Sequence, residues 1–272
     1  MDRYIKLKFS DLHTHTYYSF DSKAEPEAVV LSAIDKGLDC VAITDHLDVD
    51  FVDCGMSVDT RYDERKQIIL DLKHKYRDKV KVIYGIELGQ PYSYRDLADK
   101  LVKENGYEYI LGSVHNLKDV PDFAFFDFKK VNDYPEIVDN LYKRYLADLQ
   151  KLADIPYIDT VTHVTYVLRY IQAAGGDLDL SRYYGEYEKL FAAIIKNGKS
   201  LEINTSNLRR GFGTTMPGED LIKLYAEMGG KLITVGSDAH RVHEIGANLE
   251  DGYKLAEKYG LKPIEEIKEL YI

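Results

Sequence analysis

Six of the eight histidines fall at, or just past, the ends of short β-branched and apolar runs, and carboxylates accompany them. His13 and His15 close KFSDLHTH, Asp45 and His46 follow CVAIT, and Glu87 ends VKVIYGIE. His115 ends YILGSVH, His163 ends IDTVTH, Glu202 and Asn204 lie in SLEIN, and Asp238 and His240 follow LITVGS. Imidazole with carboxylate suits Zn²⁺, Mn²⁺ or Fe. The set offers more ligands than one ion needs, so two or three divalent transition metals sharing a bridging carboxylate are expected. Residues two apart on an extended chain leave the same face, which pairs His13 with His15, Glu202 with Asn204, and Asp238 with His240. A lone histidine at a strand end is most often just a satisfied polar group, but six in one positional pattern point to a metal centre. His74, in DLKHKY, and His243, in RVHE, read instead as a helix surface and a loop. Asp45 is open between bracing His46 and capping a turn.

Such residues need a scaffold that gathers them. Candidate strands are Lys8–His13, Cys40–Thr44, Val80–Glu87, Tyr109–His115, Ile158–His163, Ser200–Asn204 and Leu232–Asp238. Amphipathic stretches alternate with them: Glu25–Lys36, Arg61–Tyr76, Tyr94–Glu104, Pro135–Leu152, Tyr183–Lys196, Pro217–Met228 and Leu249–Lys258. Gly37, Gly106, Gly198, Gly229 and Gly260 stand where helices should end. Strand and helix in alternation mean a parallel sheet. Seven such pairs in one domain over residues 1–272 suggest a closed or nearly closed α/β barrel, with a doubly wound open sheet as the alternative. In a barrel the C-terminal strand ends share one rim, where catalytic groups collect.

Composition narrows the partners. A net charge of -10 argues against nucleic acid and gives no help in attracting phosphate, so local metal charge would have to overcome it. The two cysteines, Cys40 in an apolar run and Cys54 in a polar loop, do not suggest a disulfide scaffold. No segment approaches the ~20 apolar residues that span a bilayer, and the first residues lack a signal-peptide pattern. A cytoplasmic protein with no membrane partner is expected; oligomeric state has no sequence signature here. Val49–Asp63 and Val120–Asp133 read as loops able to cover the site.

The blocks D-L-H-T-H-T, I-T-D-H, G-I-E-L, G-S-V-H and G-S-D-A-H, in this order, resemble the PHP (polymerase and histidinol phosphatase) superfamily over essentially the whole chain. The resemblance implies a distorted (β/α)7 TIM-like barrel with a trinuclear metal site on its C-terminal rim. It implies that His13, His15 and Asp238 hold the first metal and that Glu87 bridges to a second held by His115 and His163. His46, His240 and Asp21 would hold the third. Relatives differ in two places: some carry His where Asp21 stands, and G-H-x-D is common where T-H-V-T occurs here. Chain length, the arginine of THVTYVLRY, the EINTSNLRRG segment and SDAHRVHEIGANLEDG are similar to the stand-alone histidinol-phosphate phosphatases of histidine biosynthesis.

On that footing the substrate is a small-molecule phosphate ester, most specifically histidinol phosphate. A hydroxide bridging two metals would attack phosphorus. Glu87, Asp238 and His240 are expected to carry catalysis. Arg169 and Arg209 would bind phosphate, because a planar guanidinium can engage two oxygens. Glu202 and Asn204 would orient ligands. Three rival readings remain: a phosphoesterase acting on other small molecules or nucleotides, an amidohydrolase-type C–N hydrolase, and a non-catalytic metal-binding barrel.

Overall fold

The computed structural model describes residues 9–53 and 61–264. Its strands are β1 (Ser10–Thr14), β2 (Cys40–Ile43), β3 (His46–Asp48), β4 (Lys81–Gly89), β5 (Tyr109–Ser113), β6 (Thr160–Val161), β7 (Ser200–Asn204), β8 (Leu232–Gly236) and β9 (Lys262–Pro263). They lie in the order β1-β2-β4-β5-β6-β7-β8-β9, with β3 against the far half of β4, and every pairing is parallel. All seven anticipated strands are present. β3 and β9 are additional, because the polar T-D-H-L-D run and the short K-P pair carry no strand pattern.

Among the described residues the sheet closes only at its C-terminal rim. There the Asp238 amide donates to the His13 carbonyl (2.8 Å), the His15 amide donates to the Ala239 carbonyl (2.9 Å), and Thr14 bridges Ala239. At the opposite end β9 takes the place beside β8. This is the nearly closed barrel that the alternating pattern suggested, in the distorted TIM-like form that the family resemblance implied, rather than an open doubly wound sheet.

β1 also carries a bulge. Asp11 pairs with Val41 but Thr14 pairs with Ile43, so β1 has one residue more than its partner. The surplus turns both Leu12 and His13 inward. Leu12 joins Cys40, Ala42, Ile83, Tyr109 and Leu111 in an apolar plug inside the barrel, while His13 reaches Glu202. The alternate residues of the strands, such as Val41, Val82, Ile203 and Val235, face outward into the larger core beneath the helices.

The main helices are Pro26–Asp35, Tyr62–Tyr76, Arg95–Asn105, Pro135–Ala153, Tyr166–Ala173, Tyr184–Lys196, Glu219–Glu227 and Leu249–Lys258. Seven match the expected stretches. Tyr166–Ala173 was not expected: it is eight residues long and shows only a brief apolar spacing, Val167 to Ile171. The glycines expected to end helices do so. Gly106 illustrates the reason, since at φ +63° its amide turns back to the Val102 carbonyl, a conformation costly for residues with a Cβ. Val49–Asp53, expected as loop, forms a short helix, and residues 54–60, with Cys54, lie outside the described residues. Cys40 is buried as expected. Among the described residues no helix is long and apolar enough to cross a membrane.

One helix reaches into the rim. Tyr62–Tyr76 buries Arg65, Ile69, Leu72 and Tyr76 along a single stripe. The Arg65 Nε donates to Asp45 (2.7 Å), and its Nη2 donates to the carbonyls of Ile43 (3.1 Å) and Gly85 (2.7 Å), tying β2 to β4. A buried guanidinium is tolerable here because Asp45 opposes its charge and its Nε and Nη2 are bonded, although Nη1 is buried without a partner.

Gly112 in β5 marks where helix and sheet pack most closely. A Cβ there would stand 2.6 Å from Leu152 Cδ2 and 2.9 Å from Ile158 Cγ2. Gly112→Val should therefore lower stability by about 1–3 kcal/mol through overpacking. Urea unfolding reads this directly, and an unchanged midpoint would show that the helix yields freely.

Candidate metal centre

The strand ends deliver their polar groups to a single point, the Glu87 carboxylate at the end of β4. Its Oε2 lies 3.2 Å from His13 Nε2, 3.5 Å from His15 Nε2 and 2.9 Å from His46 Nδ1. Its Oε1 lies 3.1 Å from His115 Nε2 and 2.8 Å from His163 Nε2, and accepts a 2.5 Å hydrogen bond from Ser113. Five histidines from four strand ends thus surround one carboxylate. A second group adjoins them. Asp238 stands 3.6 Å from His15 and 3.5 Å from His240, while Asp21 stands 3.1 Å from His240 and 3.7 Å from His46.

All nine residues expected as ligands therefore come together. The atoms of His13, His15 and Asp238 converge closely enough to hold an ion, as do those of His46, Glu87 and His115, of His15, His46 and His240, and of His13, His163 and Glu202. The donor set also leaves room for a cation. His13 Nε2, His15 Nε2, His46 Nδ1, His163 Nδ1 and Glu87 Oε2 are buried without a hydrogen-bond partner. Buried polar atoms are normally paired, so unpartnered nitrogens and a carboxylate oxygen gathered at one cluster fit a bound cation. His74 and His243, read as outside the site, are exposed.

Electrostatics bind the cluster as tightly as geometry does. Burial opposes ionisation of Glu87, yet His13, His115 and His46 hold its carboxyl well below the usual range. Asp238 is likewise held down against burial, by His15, His13 and His240. In return, and again against burial, Glu202 and Glu87 raise His13, Glu87 and Asp21 raise His46, and Asp48 and Glu87 raise His115, each well above the ordinary imidazole range. His15 behaves oppositely: burial, then His240 and His46, push it down to about 3.

A surrounding layer fixes these side chains. Glu202 Oε1 lies 2.6 Å from His13 Nδ1, and its Oε2 accepts from the His163 amide (2.8 Å) and from Asn204 Nδ2 (3.2 Å). Glu202 and Asn204 thus share a face, as their spacing suggested, and touch His13 and Asp238 respectively. His163 adopts φ +25°, a conformation that non-glycine residues rarely hold. The Tyr145 hydroxyl braces it, donating to the His163 carbonyl and accepting from the Tyr166 amide. Asp238 has φ +53° and lies past the end of β8, so the extended-chain argument for Asp238 and His240 does not hold. A turn, not strand alternation, brings that pair together.

Two buried carboxylates were not assigned from sequence. Asp48 in β3 lies 2.9 Å from His115 Nδ1, leaving Nε2 to face Glu87. Its i+2 relation to His46 was the available signal, hidden because β3 was not anticipated. Asp45 does not touch His46. It accepts from the Thr16 amide, the Thr16 and Ser19 hydroxyls and Arg65, and Ser19 in turn reaches His15 Nδ1 (3.0 Å) and accepts from the His46 amide (3.1 Å).

A cavity of about 330 Å³ opens above the cluster, with Glu87, His115, Asp238 and His240 in its wall. Arg169 and Arg210 line it, and Arg169 is anchored by Asn207 (2.8 Å) and Ser206 (2.6 Å). Arg209 does not reach this wall. Its guanidinium is committed to the carbonyls of Ser237 and Asp238 and to Glu244, beneath the rim.

Comparison with known proteins agrees with this architecture. The PHP domain pattern matches residues 11–206. The probable histidinol-phosphatase of Clostridium acetobutylicum is 29% identical over 259 residues, covering 93% of this chain and 95% of that protein. The histidinol-phosphatase of Lactococcus lactis subsp. lactis is 27% identical over 259 residues, covering 93% and 92%. A crystal structure of the Lactococcus lactis histidinol phosphate phosphatase, complexed with zinc, L-histidinol and phosphate, superposes with a TM-score of 0.79 at 24% identity, over 95% of this chain and 96% of that one. With the matched span running from Asp11 in β1 past Asn204 in β7 and taking in most of the clustered ligands, the chain belongs to the PHP domain family.

Proposed function

We propose that this chain is a metal-dependent phosphomonoester hydrolase whose substrate is L-histidinol phosphate. The reading takes residues 1–272 as one catalytic domain working in the cytoplasm on a small-molecule ester, not on nucleic acid. The observation that carries it is the Glu87 carboxylate, with His13 and His15 at one oxygen and His115 and His163 at the other, beneath a cavity walled by guanidinium groups. That placement suits a carboxylate shared between two ions.

In this reading two or three divalent transition metals are held, with zinc preferred to manganese or iron because the Lactococcus lactis structure contains zinc. His13, His15 and Asp238 would hold one ion. Glu87 would join it to a second, held by His115 and His163, and His46, His240 and Asp21 would hold a third. Bound metals supply Lewis acidity that polarises a phosphoryl group and lowers the pKa of water. Glu202, Asp48 and Ser19 keep His13, His115 and His15 in the tautomers that turn the opposite nitrogen to the cluster. Arg169 and Arg210 receive phosphoryl oxygens and offset charge developing on them. Arg209, by holding the Asp238 carbonyl, positions a ligand rather than the phosphate.

The direct test is hydrolysis of L-histidinol phosphate beside other phosphate monoesters by metal-reconstituted protein. The expected result is a marked preference for L-histidinol phosphate, with kcat/KM reduced at least ~100-fold in His13→Ala, more than is typical when only an outer partner of a ligand is removed. Broad, unselective activity would withdraw the substrate assignment. No hydrolysis by fully metallated protein would withdraw the reaction. Glu202→Gln should weaken zinc affinity by roughly 10–100-fold while leaving the fold intact; equal affinity would mean that the carboxylate does not orient His13.

Metal uptake should also release protons. His13, His46 and His115 sit above their ordinary range in the metal-free chain. Those shifts favour the protonated forms, which must lose their protons to present lone pairs. Zinc affinity should therefore rise with pH across neutrality. Calorimetry in buffers of different ionisation enthalpy counts the protons, and a count of zero would contradict this charge assignment.

A further inference from the structure

A chain of buried polar groups runs from the Tyr62–Tyr76 helix to two of the clustered histidines. Asp45, just past β2, stands at its centre and is 1% exposed. Its Oδ2 accepts from Arg65 Nε (2.7 Å), and its Oδ1 accepts from the Thr16 amide (2.5 Å). Guanidinium and amide nitrogens can only donate, so both oxygens of Asp45 act as acceptors. The Arg65 guanidinium, itself 3% exposed, supplies the counter-charge that makes a carboxylate tolerable at such depth.

Ser19 stands between this ion pair and the cluster. Its Oγ lies 3.0 Å from Asp45 Oδ1, 3.0 Å from His15 Nδ1 and 3.1 Å from the His46 amide nitrogen. A hydroxyl has one proton to give. Asp45 accepts and does not donate, so that proton goes to Asp45. The Ser19 oxygen is left to accept from the His46 amide and from the His15 ring. His15 Nδ1 must therefore carry a hydrogen. Its Nε2, buried and without a hydrogen-bond partner, then has a lone pair free on the side of Glu87 and Asp238. The same oxygen anchors the backbone of His46, whose ring centroid is 4.3 Å from that of His15. These two histidines and His240 converge closely enough to share an ion.

We propose that Asp45, paired with Arg65, is a positioning residue for this end of the cluster. By taking the Ser19 proton it selects the His15 tautomer that offers Nε2, and it fixes His46 through the same hydroxyl. The inference rests on the metal-dependent phosphatase reading of the cluster. Asp45 itself touches neither ester nor reacting water; it acts through Ser19.

Asp45→Asn reverses this chain with little change of volume. Arg65 Nε still requires an acceptor, so the amide oxygen takes the place of Oδ2 and the amide nitrogen that of Oδ1. Ser19 then accepts from the amide, and its proton turns to His15 Nδ1. Long-range proton–nitrogen correlation NMR of the full-length, metal-free protein near neutral pH reads which ring nitrogen of His15 bears hydrogen. Wild type should show Nδ1, and Asp45→Asn should show Nε2 or a mixture. Hydrogen on Nε2 in wild type, or an unchanged Nδ1 signal in the folded variant, overturns the proposal.

Zinc affinity, measured by competition with a chelator, should fall roughly 10–100-fold in Asp45→Asn and in Ser19→Ala. The double variant should bind zinc no more weakly than the weaker single variant, because both changes act through one hydroxyl. Losses that add overturn the proposal. Ser19→Ala leaves the Arg65–Asp45 pair in place and decides the matter where Asp45→Asn does not fold: zinc affinity equal to that of wild type overturns the proposal. Weakened zinc binding in both variants of a chain that hydrolyses no phosphate ester would fault the phosphatase reading and uphold the role of Asp45.

Discussion

A single carboxylate, Glu87, is buried where five imidazoles meet, and most features of the rim serve that contact. An isolated anion in such a place would be driven to protonate. Here the opposing imidazoles keep it charged, and the imidazoles are themselves kept in place by Glu202, Asp48 and Ser19. Remove the cluster and the outer layer has no purpose; remove the outer layer and buried donors lose their partners. Even backbone geometry bends to the same end. The bulge in β1 turns His13 inward, and the left-handed conformations of His163 and Asp238 are held by Tyr145 and Arg209 through their carbonyls.

The division of labour among strand faces explains how a polar centre can sit in an apolar fold. The outward residues of the long strands are mostly Val, Ile, Leu or Tyr beneath helices, with Asp11 and Gly112 as exceptions, and the lower interior is plugged by Leu12, Ile83, Tyr109 and Leu111. Imidazoles and carboxylates enter the interior only toward the rim, while lower down the Thr160 hydroxyl meets those of Tyr109 and Ser200. Gly236 shows how tightly the rim groups are set, since a Cβ there would stand 2.5 Å from His13 Cβ and 2.6 Å from Glu202 Oε1. A side chain on β8 at that level would part His13 from the carboxylate that orients it.

Much of this was legible in the amino-acid sequence because strand ends carry both the apolar pattern and the chemistry. The seven runs from β1 to β8 that contain His13, Glu87, His115 and Glu202 stand out as β-branched segments, and the glycines that end helices are where they should be. What escaped has physical reasons. β3 is polar, so Asp48 could not be placed beside His115. Arg65 lies in a charged helix, where only its register with Ile69 and Leu72 distinguishes it. Arg209 and Arg210 are adjacent and alike, and a four-residue helix, Ser206–Arg209, decides which one faces the cavity. Strand alternation also fails for Asp238, because the chain leaves β8 two residues earlier.

The closure of the barrel at its rim alone has a consequence for the order in which the protein is made. Two of the bonds that seal β1 to the far end of the sheet involve Asp238 and Ala239, more than two hundred residues after His13 and His15. A nascent chain can therefore pair its early strands on the ribosome while His15 still lacks Asp238 and His240. The candidate metal centre is completed only once Asp238 and His240 emerge, so a protein truncated during synthesis before that point carries most of the barrel and neither of these closing residues.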